Sequence, residues 1–209
     1  VLLAEAEHRR HRQQGGRGLL QAVEGQALEL LHQAGDPGGE RRPVRAERRA
    51  PLPVRALGQV ASFATTSALS LERMTRGLNS LLPPGIHLRA LGPVPPEFHA
   101  RYSARAKTYD YWLWPSAPAG LFLQTRLWAL PMALNPEAVS AALARLPGPR
   151  DLAALASQGA EVNGSTVREI LEARLDLTPE GPWRVRITAT GFLRHVVRNL
   201  VGLLVRVGR

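Results

Sequence analysis

Residues 1–55 contain no Ser, Thr, Asn, Lys, Ile, Met, Phe, Tyr or Trp, and all eleven aromatic residues of the 209-residue chain lie beyond them, starting at Phe63. A stretch without aromatics and almost without β-branched residues has little from which to build strands. Its one ordered-looking piece is Leu20, Val23, Ala27, Leu30 and Leu31, spaced for one face of a helix that ends at Gly35. Around it, GGRG (15–18) and DPGGERRP (36–43) read as turns or disorder. Charge does not set the segment apart: ten Arg against seven acids leave it at +3, and the remaining 17 basic and 10 acidic residues carry +7.

From residue 56 the patterns are regular. Ser70 or Thr66 can cap a helix with Leu71, Met74, Leu78 and Leu81 on one face, stopped by Pro83-Pro84. Residues 86–94 read as a strand, and so do 106–114, with Tyr109, Tyr111 and Leu113 on one face and Thr108, Asp110, Trp112 and Trp114 on the other. Asn135-Pro136 is a helix start, a cap followed by proline at the first position, with Val139, Leu143 and Leu146 as its buried stripe. Two further strands alternate Leu171, Ala173, Leu175, Leu177 and Val185, Ile187, Ala189. A last helix over 192–207 turns Leu193, Val197, Leu200, Val201 and Leu204 inward. Strand pairs mixed with helices predict an α+β fold, a mixed or antiparallel sheet with helices packed on one face.

Several classes fall away. No apolar run approaches the length of a transmembrane helix, and the charged start does not read as a signal peptide. The chain has no cysteine, so disulfides, thiolate metal sites and cysteine nucleophiles are excluded. No Walker loop, dinucleotide fingerprint, GxSxG elbow or HExxH occurs, and the six histidines are scattered, so neither a metal nor a cofactor is expected. The net charge of +10 points to nucleic acid as partner, although 26 of the 27 basic residues are Arg, as a GC-rich genome would also produce.

Two clusters carry chemistry. In FHARYSARAKTYDY (98–111), His99, Arg101, Arg105 and Lys107 interleave with Phe98, Tyr102, Tyr109 and Tyr111. Basic groups hold phosphates while aromatic faces stack bases, which suits RNA better than a plain duplex. The bland alternative is a surface strand whose tyrosines pack inward and whose arginines are solvated. In GFLRHVVRNLVG (191–202), Arg194 and Arg198 are four apart on one helix face, with His195 and Asn199 beside them. Two arginines at such a rim hold a phosphate or a buried carboxylate, or are simply exposed.

Both clusters, in this order, resemble the tRNA pseudouridine synthase family that modifies positions 38–40 of the anticodon arm (the TruA family). The resemblance runs over about residues 56–208, through ALGQVASF (56–63), LNSLLPPGI (78–86), VPPEFHARYSARAKTYDY (94–111), STVREI (165–170) and GFLRHVVRNLVGLLVRVG (191–208). It implies a pseudouridine synthase-like fold over 56–209 and an isomerase that breaks the N1–C1′ bond of uridine, turns the base and rejoins it through C5. It implies no cofactor and no metal, tRNA as partner, a homodimer and a cytoplasmic location. Tyr109 matches the family tyrosine that stacks on the target uracil, flipped out because the reacting atoms are inaccessible in a stacked base. Arg198 matches the arginine beside the catalytic aspartate, whose charge keeps that carboxylate ionised. His99, Arg101, Arg105, Lys107, Arg168 and Arg194 would contact phosphates or line the cleft.

The match fails where the family carries its aspartate, in a loop reading G-R-T-D-A-G-V-H-A. Aligned without gaps, Arg49 and Val54 agree, but Pro51 takes the aspartate position, and a proline cannot be a nucleophile. Three accounts stand side by side: a reading frame that differs from the ancestral one upstream of about codon 54, a diverged paralogue that binds RNA without catalysis, or a chimaeric or fragmentary chain. A basic structural protein, such as a ribosomal component, is a more distant alternative; it predicts that Tyr109 and Arg198 lie far apart. The fold is expected to be incomplete at both ends, since residues 1–55 do not match and the chain stops at Arg209 where family members continue. Exposed strand edges would then leave the chain poorly stable. Soluble, cooperative thermal unfolding of the purified chain, followed by circular dichroism, would contradict that expectation.

Overall fold

A computed structural model describes residues 2–7, 17–23, 54–63, 65–117, 127–157 and 164–209. In chain order the elements are β1 (Leu2–Glu7), β2 (Arg17–Val23), β3 (Val54–Phe63), α1 (Leu71–Leu81), β4 (His87–Val94), β5 (Ala106–Trp114), β6 (Trp128–Ala129), α2 (Pro136–Ala144), β7 (Gly148–Asp151), β8 (Val167–Asp176), β9 (Trp183–Ala189) and α3 (Val196–Val207). They divide into two compact units, Glu5–Ala104 and Arg105–Arg209, the second joined by Val1–Ala4.

In the unit Glu5–Ala104, β2 pairs antiparallel with both β3 and β4, Gly18 facing Phe63 and Arg17 facing Val94, with a register shift between Gln21 and Ala22. This corrects two expectations. Leu20 and Val23 lie in a strand rather than a helix, and the opening segment contributes strands despite its composition. Backbone pairing decides the matter: β3 and β4 each present a row of N–H and C=O groups to β2, and the residue types available do not prevent the ladder. Ala27, Leu30, Leu31 and Gly35, the rest of the expected helix, lie outside the described residues. Helix α1 starts where expected, the Ser70 hydroxyl accepting from Arg73 N. None of its residues is fully buried, and Leu71 and Leu81 are exposed, so the expected apolar face reduces to Met74 and Leu78. Its link to β4 is polar: Asn79 donates to Leu88 O (3.1 Å) and accepts from Leu88 N (2.8 Å).

The unit Arg105–Arg209 is the α+β layer that the patterns predict. β6 joins β5 in parallel; β5 pairs antiparallel with β9, β9 with β8 and β8 with β7, a mixed five-stranded sheet. Helices α2 and α3 pack one face, and the core joins Tyr111, Leu113, Val185, Ile187 and Ala189 to Val139, Leu143, Val197, Val201 and Leu204. Asn135 caps α2 by accepting from Ala138 N (2.8 Å), and its own N–H bonds Gly208 O (2.8 Å), tying the start of α2 to the end of α3. In β8 the expected stripe is displaced. A bulge between Ile170 and Glu172 puts Ile170 in the core, leaves Leu171 exposed and returns Ala173 and Leu175 to the packed face, while Leu177 is exposed.

The opposite face of that sheet is charged. Asp110, the one buried charged residue among those described, receives both Arg186 Nε and Nη2 at 2.7 Å in a bidentate pair, which holds the guanidinium even further above its usual range. Thr108 and Thr188 hydroxyls meet across the strands at 2.9 Å, and Arg184 lies over the Trp112 ring while bonding Asp176. Partial burial works to raise the Asp176 carboxyl, but Arg184 and Arg174 outweigh it, so the group titrates below its ordinary range. That depressed value stabilises the fold above the ordinary carboxylate range, and the contribution is lost as pH falls through the folded value.

Removing Asp110 strands the Arg186 cation on a strand. The Asp110→Ala variant should lose about 3 kcal/mol in urea denaturation, the lower end for a buried pair because 26% of the Arg186 side chain still meets solvent. Removing Glu72 from its exposed i, i+4 pair with Arg76 should leave the midpoint unchanged.

Candidate active site

Alternation along β5 places Lys107, Tyr109, Tyr111 and Leu113 on the face that α3 covers. Tyr109 is half-buried and meets Phe192 edge to face, centroids 5.2 Å apart at 75°. Tyr111 is buried at 5% exposure, with Trp128 edge-on at 6.3 Å. Burial pushes both phenols above their ordinary value, and for Tyr111 the positive charge of Arg198 pulls partly the other way. Neither phenol oxygen has a hydrogen-bond partner among the described residues, and no buried side-chain N or O there lacks one.

Arg198 comes to Tyr111 through the way α3 begins. The helix was expected from residue 192; it starts at Val196, because His195 takes a left-handed backbone (φ 64°) and Val196 N turns back to Leu193 O (3.3 Å). Arg194 consequently sits in the exposed turn before the helix, and only Arg198 lies on it, which corrects the shared helix face read from their spacing. The turn is clasped from outside. His195 Nδ1 and Ser157 Oγ are 2.8 Å apart, Ser157 N donates to Arg194 O (3.2 Å), and Asn199 Nδ2 donates to Leu155 O (2.8 Å). A left-handed non-glycine residue is strained by about 1–3 kcal/mol, and these bonds hold it. Arg198 is half-buried in the first turn, where the helix dipole disfavours a cation, and no carboxylate among the described residues pairs with it. A site of that charge suits a carboxylate or a phosphate.

Arg168 reaches the same turn from β8. A Cβ on Gly191 would lie 3.3 Å from its Nε, a tight contact with a flexible side chain. Its guanidinium donates to Ser165 O and Val167 O (2.5 and 2.7 Å), shaping its own loop. Lys107 faces Ala189 on β9 and is half-buried; Arg105 is exposed just before β5. His99 and Arg101 belong to the other unit, on an exposed turn after β4. Pro51 lies outside the described residues. Phe192 and Ser157 are the residues missed by sequence reading. An aromatic three residues before the HxxRN motif was a usable signal for Phe192; nothing marks Ser157, whose role depends on a contact 38 residues away. Among the described residues, no three His, Cys, Asp or Glu side chains gather to hold a metal, and no helix is long and apolar enough to cross a membrane.

A family model described as tRNA pseudouridine synthase matches residues 142–209. Curated relatives called tRNA pseudouridine synthase A include those of Roseiflexus castenholzii, 38% identical over 81% of this chain and 63% of its own length, and Solibacter usitatus, 38% identical over 82% and 73%. The Geobacter sulfurreducens protein is 32% identical over 94% of this chain and 77% of its own length. The chain thus spans just under two thirds of the Roseiflexus relative, and the matched spans are longer than residues 56–209.

The tyrosine geometry is open to measurement, since the chain holds only three tyrosines. In a spectrophotometric titration, Arg198→Met should move one tyrosinate transition to higher pH, because the charge that lowers Tyr111 is gone. Both buried phenols are raised in the folded state, so their contribution is intact below about pH 10 and stability falls as pH rises beyond it.

Proposed function

Because the chain belongs to the tRNA pseudouridine synthase A family, we propose that it acts on tRNA, taking a uridine from positions 38–40 of the anticodon arm against Tyr109 for isomerisation to pseudouridine. The observation that carries this reading is the half-buried Arg198 in the first turn of α3, its charge felt by Tyr111 and without a carboxylate among the described residues, on the sheet face that also bears Tyr109. In this reading Arg198 keeps a carboxylate nucleophile ionised and Tyr109 stacks on the extruded uracil. Arg105, Lys107, Arg168 and Arg194, with His99 and Arg101 of the other unit, contact the RNA backbone. The family resemblance supports a cytoplasmic homodimer.

A second reading is favoured by one residue. Pro51 stands at the aspartate position and supplies no nucleophile, which makes the chain as written an RNA-binding protein that holds the base without breaking its glycosidic bond. Tritium release from anticodon stem-loop RNA labelled at uridine C5 separates the two, since isomerisation replaces the C5–H bond by C5–C1′. The first reading expects release by the unaltered chain, and the second expects binding without release. Release should appear when residues 48–55 are replaced by GRTDAGVH, a change that includes Pro51→Asp. Release by the unaltered chain would overturn the second reading; no binding by either protein would overturn both.

A further inference from the structure

Outside the tyrosine–arginine site, the turn after β4 presents an aromatic side chain to solvent in a fixed setting. Phe98 is buried against Val60 and Val94, with Ala100 packed beside them, and Ala100 N donates to Ser62 Oγ on β3 (3.4 Å). The residues between and after these anchors, His99, Arg101 and Tyr102, point outward. The turn is closed twice: Ser103 N donates to His99 O (2.8 Å), and His99 N donates to Ser103 Oγ (3.0 Å). Inside it, His99 Nδ1 accepts from Arg101 N (3.1 Å) and from Tyr102 N (3.4 Å), which requires the tautomer carrying its proton on Nε2. The imidazole thus plays the part that an Asn or Asp side chain plays in an Asx turn.

The result is a small stack. The His99 and Tyr102 rings lie 4.4 Å apart, and the Arg101 guanidinium carbon is 5.6 Å from the Tyr102 centroid. Tyr102 nevertheless stays 72% exposed, so most of its ring surface is open. A single exposed apolar residue needs no explanation. A tyrosine whose backbone is capped by one neighbour and whose ring is braced by two is different, because its ordering is complete before any partner arrives. Its partner must tolerate a cation beside a ring, on a chain of net charge +10.

We propose that the turn Phe98–Ser103 is a second RNA contact, in which Tyr102 stacks on an unpaired nucleobase, Arg101 holds the adjoining phosphate and His99 is the positioning residue that presents both. This rests on the reading that the chain binds RNA, and it adds a base contact apart from the one assigned to Tyr109.

Fluorescence anisotropy with two labelled probes tests it, an anticodon stem-loop hairpin and an unstructured oligouridylate. Tyr102→Ala should weaken binding to both by about 5- to 100-fold, and Tyr102→Phe should bind like the unaltered chain. Neither Tyr102 change should alter the slope of affinity against salt, whereas Arg101→Ala should flatten it by about one counterion. His99→Ala should lose affinity as Tyr102→Ala does, and His99→Asn should restore it, because Oδ1 occupies the place of Nδ1. The proposal is overturned if Tyr102→Ala binds both probes normally, if Tyr102→Phe is as weak as Tyr102→Ala, or if Tyr102→Ala changes only the oligomeric state seen by light scattering. A chain that binds oligouridylate without preferring the hairpin overturns the anticodon-arm reading but leaves the platform standing. A chain that binds neither probe overturns both.

Discussion

The seating of α3 on the inner face of β5 and β9 is the contact on which the unit Arg105–Arg209 depends. Val197, Leu200, Val201 and Leu204 leave water there against Tyr111, Leu113, Val185, Ile187 and Ala189, and nearly all of these residues are fully buried. Apolar burial of that kind is the dominant favourable term in folding. It also positions Arg198, the residue following Val197, so that its charge acts on Tyr111.

The two faces of the sheet are held by different physics. Beneath the helices the side chains are apolar and the packing is non-directional. On the other face, Asp110–Arg186, Asp176–Arg184 and Thr108–Thr188 form a ladder of directional pairs across β5, β9 and β8. Such pairs add little net stability when fully satisfied but are costly to break singly, which pins the strand register. With the register pinned, Tyr109 and Tyr111 remain on the helix side, since a slip of one residue would turn both to the charged face.

Positive charge and aromatic rings recur together in both units, but the settings differ. Tyr109 and Tyr111 are packed rings, the first half-buried and the second buried, and burial raises both phenols. Tyr102 is an exposed ring whose backbone, rather than its burial, keeps it in place. The first arrangement suits a base enclosed for reaction and the second a base resting on a surface.

Much of this was legible in the sequence, where a local pattern suffices. The alternation of β5, the Asn135-Pro136 cap, the apolar stripes of α2 and α3 and the family motifs each follow from residue spacing, because side-chain direction in a strand or helix repeats with a fixed period. The sequence by itself also sets the expectation that Pro51 stands where the family carries its aspartate, and no folding can give proline an ionisable group. Only the tertiary structure decided what depends on distant partners. Arg17–Val23 is a strand because β3 and β4 flank it; Ile170 displaces Leu171 from the core because β8 bulges against β9. Helix α3 starts at Val196 because Ser157, far back in the chain, bonds the left-handed His195. Pairing, register and backbone reversal are energies shared between segments far apart in sequence, and neither segment carries them by itself.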